Sequence, residues 1–202
     1  MGTKDTKSVE LGSTGLGSFF RPRDLRPLGV SLAQLRRQLH EGRVERVGRG
    51  LYRRTEAEVT ENYTVAAVAA RVPRAIVCLL TALRVHDIGT QLPHQVWIAI
   101  GHKDRPPRLG DLPVQLVRFS GPSQRYGIET VRMEGVPVRI TSPARTVVDC
   151  FRFQRLVGRD VAIEALRDAL RERKVTVDQI WRAAEVCRAR SLLGRYLEVL
   201  AG

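Results

Sequence analysis

Arginine and glutamine side chains crowd one short stretch of this chain. Gln34, Arg36, Arg37 and Gln38 follow Ser31, and Arg43, Arg46, Arg49, Arg53 and Arg54 come next. A guanidinium can grip guanine O6 and N7 through two parallel hydrogen bonds, and a glutamine amide can do the same on adenine. Arginines that reach no base edge can hold phosphate oxygens. The chemistry on offer is duplex-DNA recognition. Arg36, Arg37 and Gln38 are candidates for bases, and Arg43, Arg46, Arg49, Arg53 and Arg54 for the backbone. Ser31 and Gln34 complete the candidate set. A structural reading stands beside each. Arg36 and Arg37 would also suit a solvated helix face. Gln34 lies three residues after Ser31, so its amide can close a capping box instead of reaching a base. Gly48 and Gly50 serve any tight hairpin.

Catalytic arrangements are sparse. Arg145 and Asp149 stand four apart, the spacing of an ion pair on one helix. A lone carboxylate beside a guanidinium is poised for no reaction without a second group. His86-Asp87 is read the same way. His94 and His102 bracket a predicted strand, but no third ligand follows at a metal-binding spacing. Two-metal nucleases cluster carboxylates, commonly with a lysine near the attacking water. The only lysines are Lys4, Lys7, Lys103 and Lys174, none placed for that role, and the acids near the strands fall at loops or strand ends. No catalytic residues, metal or cofactor are expected. A metal-dependent nuclease in residues 59–202 is carried as an alternative. The basic loop His102-Lys103-Asp104-Arg105-Pro106-Pro107-Arg108 reads either as a second backbone-contacting patch or as a solvated connector.

The elements that would position the arginines are well punctuated. Ser31 can cap a helix over 31–42, and Gly42 can end it in a left-handed turn. Leu32, Leu35 and Leu39 share its predicted apolar face. Pro22 to Leu28 reads as a shorter helix upstream, with Gly29-Val30 as the turn. Val44 to Val47 and Leu51 to Arg53 read as strands paired across Gly48-Arg49-Gly50. Helix, turn, helix and hairpin is the order of a winged helix-turn-helix, whose second helix enters the major groove. Beyond Thr55-Glu56-Ala57-Glu58 the pattern predicts helices over 62–71 and 79–85. Strands are predicted at 95–100, 114–119, 128–133 and 136–140, the last two as a hairpin across Glu134-Gly135. Ser142, with Pro143 at the first helical position, opens a helical C-terminal third. There, Ile163, Leu166 and Leu170 are expected on one apolar stripe, Ile180, Ala184 and Cys187 on another. The fold class is α+β. Three segments are expected: a flexible tail over 1–17, a winged helix-turn-helix over 18–58, and a mixed domain with a small sheet and C-terminal helices over 59–202.

Charge supports a polyanion partner. The 202 residues carry a formal net charge of +13. Ten arginines face only Asp24, Glu41 and Glu45 across residues 18–54, which gives +7 in that segment alone. Arginine exceeds lysine 30 to 4, which a GC-rich genome would also produce, but such drift would not concentrate the charge. A hydrophobic fraction of 43% allows a core, and aromatics at 5% leave it to aliphatic side chains. No run of 18 apolar residues is present, so no membrane partner is expected. The N-terminus lacks a secretory pattern. Cys78, Cys150 and Cys187 are odd in number and widely spaced, as in a reduced cytosol. A cytoplasmic protein is expected.

Family resemblance sharpens these expectations. Leu25-Arg26-Pro27-Leu28-Gly29-Val30-Ser31, followed by the run from Leu39 to Tyr52, resembles the N-terminal winged helix of AbiEi-type antitoxins. The segment Leu80 to Ile88 resembles that family's helix after a short strand. Ile140-Thr141-Ser142-Pro143-Ala144-Arg145-Thr146-Val147-Val148-Asp149 is similar to its "TSPARTLVD" signature. The likeness spans residues 19 to about 190. It implies a type IV toxin–antitoxin component that binds double-stranded DNA at repeats in its own promoter, represses it, and opposes a nucleotidyltransferase-type toxin. A solitary winged-helix regulator is the alternative, and a module docking an acidic protein a third reading. The family carries a full helix ahead of the Pro22 segment. Here that stretch is glycine-rich, so two readings stay open: the trihelical core is incomplete, or a short piece around Ser8 to Leu11 substitutes.

Overall fold

The computed structural model describes residues 16–48, 50–57, 60–110 and 112–201. The stretch 1–15, with the expected tail and the Ser8–Leu11 substitute, lies outside the described residues, as does Arg49. The fold mixes α and β elements, and its contacts group it into two compact units. The first is Met1–Arg71 with Arg132–Pro137, and the second is Val72–Val131 with Val138–Gly202.

The first unit contains β1 (Phe19–Phe20), α1 (Pro22–Leu25), a 3-10 turn (Arg26–Leu28), α2 (Leu32–His40), β2 (Val44–Gly48), β3 (Leu51–Arg54) and α3 (Tyr63–Arg71). Local chemistry sets the boundaries. Pro22 occupies the first position of α1, and Asp24 accepts the Arg21 N–H at 2.7 Å. Gly29 takes φ +69 and returns its N–H to the Arg26 carbonyl, a conformation that favours glycine. Ser31 and Gln34 then form a reciprocal capping box. Val30 and Leu35, on either side of the cap, are buried in one cluster with Phe20, Leu25 and Val44. That pairing is a hydrophobic staple. At the far end the N–H of Arg43 reaches the Gln38 carbonyl and that of Gly42 the Leu39 carbonyl, a Schellman closure.

Three antiparallel strands follow the order β1-β3-β2. Phe20 pairs with Tyr52 and Arg46 with Tyr52, and the register shifts between Arg46 and Gly48. β1 was not legible in advance, because two residues carry no alternation. Leu16 packs on the cluster and Gly17 lies against the backbone of Glu134, so the folded unit starts before the residue 18 expected. It also runs past residue 58. Arg21 donates to the Ala70 carbonyl at 3.0 Å, and the Phe19 and Tyr63 rings pack at a tilt of 37° with centroids 5.0 Å apart, so α3 groups with this unit.

One expectation on α2 is corrected. Leu35 is 3% exposed and Leu39 half-buried, but Leu32 is 59% exposed. The staple takes its apolar contact from Leu35 one turn later, which leaves the first turn in solvent.

The second unit begins with β4 (Ile76–Val77), α4 (Leu79–Val85), β5 (Val96–Gly101) and β6 (Val114–Phe119). β7 (Ile128–Met133), β8 (Val136–Thr141), α5 (Pro143–Arg152) and α6 (Gln154–Val157) come next, then α7 (Arg159–Arg171), α8 (Val177–Val186) and α9 (Arg190–Ala201). The five-stranded sheet has the order β6-β5-β4-β8-β7. β4 runs antiparallel to β5 and parallel to β8, and β5 runs parallel to β6. Ser142 sits at the N-cap of α5 as expected, but its hydroxyl makes no capping bond. Every residue of α5 from Arg145 to Phe151 is buried. α7 packs on α5 through Ala162, Ala165, Leu166 and Ala169, while Ile163 and Leu170 are only partly buried. Ile163, Leu166 and Leu170, the expected stripe, all pack on this core, and the buried Ala162, Ala165 and Ala169 widen that face. Small side chains let α7 approach a helix that is covered along its length. The stripe on α8 is as expected, with Ile180, Ala184 and Cys187 buried.

The β7–β8 hairpin turns at Glu134 and Gly135, with φ +51 and +81, the backbone signs of a two-residue type I′ turn. Its tip, Arg132–Pro137, groups with the first unit. There the Glu134 carboxylate accepts from Ser18 Oγ and Thr60 Oγ1, and its carbonyl accepts the Phe19 N–H at 3.2 Å. A Cβ on Gly135 would stand 2.9 Å from Gly17 Cα, so the approach requires glycine.

Candidate nucleic-acid interface

The exposed face of α2 is a stripe of Leu32, Ala33, Arg36, Arg37 and His40. Helical spacing of four sets Arg36 above Leu32 and Arg37 above Ala33. Arg36 has no ion-pair partner among the described residues. Arg37 Nε bonds Glu41 Oε1 at 2.7 Å, and Arg43 Nε lies 3.4 Å from Glu41 Oε2. The hydrogen bond from Arg37 draws the Glu41 carboxyl below its ordinary value, helped by the Arg37 and Arg43 charges. Glu41 therefore holds two guanidiniums in place where the helix hands over to the hairpin. These contacts are solvent-exposed and contribute little stability.

The remaining candidates divide. Arg46 is exposed, and its Nε donates to the Gly48 carbonyl at 3.2 Å, so it lies along β2 toward the turn. Arg53 turns inward. It pairs with Glu45 at 2.7 Å, donates to Tyr63 Oη at 2.8 Å and sits 5.5 Å from that ring's centroid. Its side chain is 22% exposed. This cation is committed to joining β3 to α3. Arg54, opposite Val44 in register, and Gln38 are half-buried. Ser31 and Gln34 are bonded to each other's backbone, Ser31 N–H to Gln34 Oε1 at 2.7 Å and Gln34 N–H to Ser31 Oγ at 3.2 Å. The structure thus brings Arg36 and Arg37 on α2, Arg43 in the turn after it and Arg46 on β2 to exposed positions, while Ser31 and Gln34 bond each other and Arg53 bonds Glu45 and Tyr63. The sequence reading missed Arg26, which is exposed on the turn before α2 with no ion pair among the described residues.

In the second unit, Arg145 and Asp149 form a fully buried ion pair of 2.8 Å. Arg145 Nη1 also donates to the Tyr126 carbonyl at 2.8 Å, and the guanidinium lies 4.7 Å from the centre of the Phe119 ring. Arg152 Nη1 takes the second carboxylate oxygen at 2.7 Å. Burial pushes the Asp149 carboxyl up, and the two arginines pull it back. The Thr141 and Thr146 hydroxyls bond at 2.7 Å, and His86 Nε2 lies 2.6 Å from the Thr141 carbonyl oxygen. Every charged group of this cluster is bonded within the fold, with only Nη2 of Arg145 lacking a partner among the described residues. Burial raises the pKa of Cys78, Cys150 and Cys187, which keeps all three as thiols. Asp87 meets Lys174 at 3.2 Å. Among the described residues no three His, Cys, Asp or Glu side chains converge to hold a metal. No helix among them is long and apolar enough to cross a membrane. The loop 102–108 is fastened by Arg118, whose Nη1 donates to the carbonyls of Gly101, His102 and Asp104.

Residues 16–55 match the family model of the AbiEi antitoxin transcriptional regulators. The AbiEi match takes in β1, both short helices, α2 and the β2–β3 hairpin, and ends before α3. It therefore covers every residue of the exposed cationic stripe. Among solved structures, the RV2827C protein of Mycobacterium tuberculosis aligns at a TM-score of 0.52 and 14% identity. The alignment covers 87% of this chain and 71% of that one, which establishes a shared fold across most of the molecule. No curated protein matches the chain.

Proposed function

We propose that the first unit is a winged helix-turn-helix that binds duplex DNA, and that the chain is a transcriptional regulator acting on its own promoter. In this reading α2 lies in the major groove, and the β2–β3 turn reaches the adjacent backbone. Arg36, Arg37 and Gln38 face base edges. Arg43, Arg46, Arg49 and Arg54 neutralise phosphates. Ser31 and Gln34 hold the start of the helix, and Arg53 braces the hairpin. The observation that carries the reading is the exposed Arg36–Arg37 face, directly followed by a basic hairpin, within the segment that matches AbiEi regulators.

The finer assignment is antitoxin of a type IV system, opposing a nucleotidyltransferase-type toxin in the cytoplasm. It is supported by the family match and by the resemblance of residues 140–149 to the antitoxin signature. Because the match stops at residue 55, a solitary regulator is the second reading. Co-expression with the product of an adjacent nucleotidyltransferase-like gene separates them, since only an antitoxin restores growth.

Direct titration of a promoter duplex and a scrambled duplex tests the DNA reading. Arg37→Ala is expected to lose the preference between them, by about 1–3 kcal/mol if it grips one base. Arg49→Ala is expected to weaken both alike. If both variants bind like the wild type, the interface is elsewhere.

A further inference from the structure

We propose that the first turn of α2 reads thymine: Leu32, with Ala33 beside it, forms an apolar patch for the 5-methyl groups exposed in the major groove. This rests on the DNA-binding reading above and names what one end of that helix recognises. Leu32 is 59% exposed. The fold makes no use of it, because Val30 and Leu35, 6% and 3% exposed, already make the staple, and Ser31 with Gln34 makes the cap. Leu32 and Ala33 lie one helical turn before Arg36 and Arg37, and all four are exposed. The stripe therefore changes from apolar to cationic over roughly 6 Å of helix.

Base edges in the major groove offer one apolar group, the thymine methyl, among donors and acceptors. The leading residues of a recognition helix are the ones that meet base edges. An aliphatic pair at that position, next to guanidiniums suited to guanine, therefore favours thymine beside guanine. Charge identifies the occupant as DNA and not a second copy of this chain. Residues 18–54 carry +7, and two such faces brought together would oppose Arg36 and Arg37 to their own kind.

The probe is a duplex selected by the full-length protein from a randomised pool. Each thymine is then replaced singly by deoxyuridine, which lacks only the methyl. Wild type is expected to lose about fourfold in affinity at each contacted thymine, the worth of one buried methyl. Leu32→Ala should lose a similar factor on the thymine duplex and nothing further on the deoxyuridine duplex. Alanine is a strong helix former, so the variant should keep its circular dichroism and melting temperature. Wild type indifferent to every deoxyuridine would overturn the proposal. So would a variant that keeps the full deoxyuridine penalty, or one that changes only the sedimenting mass. A pool that yields no preferred sequence defeats the DNA reading of α2 as a whole. A preferred sequence without methyl dependence defeats this inference alone.

Discussion

Glu41 and Asp149 show two opposite uses of a carboxylate among arginines. Glu41 is in solvent, and its bond from Arg37 lowers its pKa. Its folded pKa lies below the unfolded one, so its contribution is present above the ordinary glutamate range and fades as pH falls through the folded value. A carboxyl-carbon titration by NMR should show the depressed midpoint, and Arg37→Ala should return it toward the ordinary value. Asp149 is fully buried between Arg145 and Arg152. Removing one member of such a pair strands the other charge. Asp149→Ala should therefore cost about 3–5 kcal/mol, read as a lower urea midpoint. An unchanged midpoint would mean that Arg145 finds water or another acceptor.

At the level of elements, α2 was legible because each end is marked by a residue with a specific job. Ser31 and Gln34 cap one end, and Gly42 at φ +71 closes the other. Ser31→Ala should cost about 1 kcal/mol in thermal unfolding. If Ser31 only holds the helix, that variant weakens every duplex equally and leaves base preference intact. Loss of preference would return Ser31 to the groove. Elements set by distant partners were less legible. β1 exists because Phe19 and Phe20 pair with Arg53 and Tyr52, contacts that no local pattern announces. The inward turn of Arg53 likewise depends on Tyr63, ten residues away in another element. Leu32 was misplaced because periodicity marks a face and does not say how far along a short helix the core extends. The alanines of α7 that widen its buried face were not read, because alanine is weak in any hydrophobic pattern.

At the level of the whole molecule, the charge is unevenly shared, with +7 of the net +13 in residues 18–54. If Arg43, Arg46, Arg49 and Arg54 each neutralise one phosphate, log affinity should fall against log salt with a slope of about −4 per protomer. Binding isotherms from low to moderate salt check this. A slope near zero would point away from backbone contacts altogether. Substituting one of the four should flatten the slope by about one.

The hairpin tip that supplies Glu134 has a consequence for how the protein is made. Ser18 and Thr60 find their acceptor only after the ribosome has passed residue 134. At about 5–20 residues per second, the interval between Arg71 and Arg132 lasts roughly 3–12 s. Through that interval the nascent N-terminal unit waits for its last piece. A translation product cut short before Arg132 would carry every arginine of residues 18–54 without the carboxylate that accepts from Ser18 and Thr60.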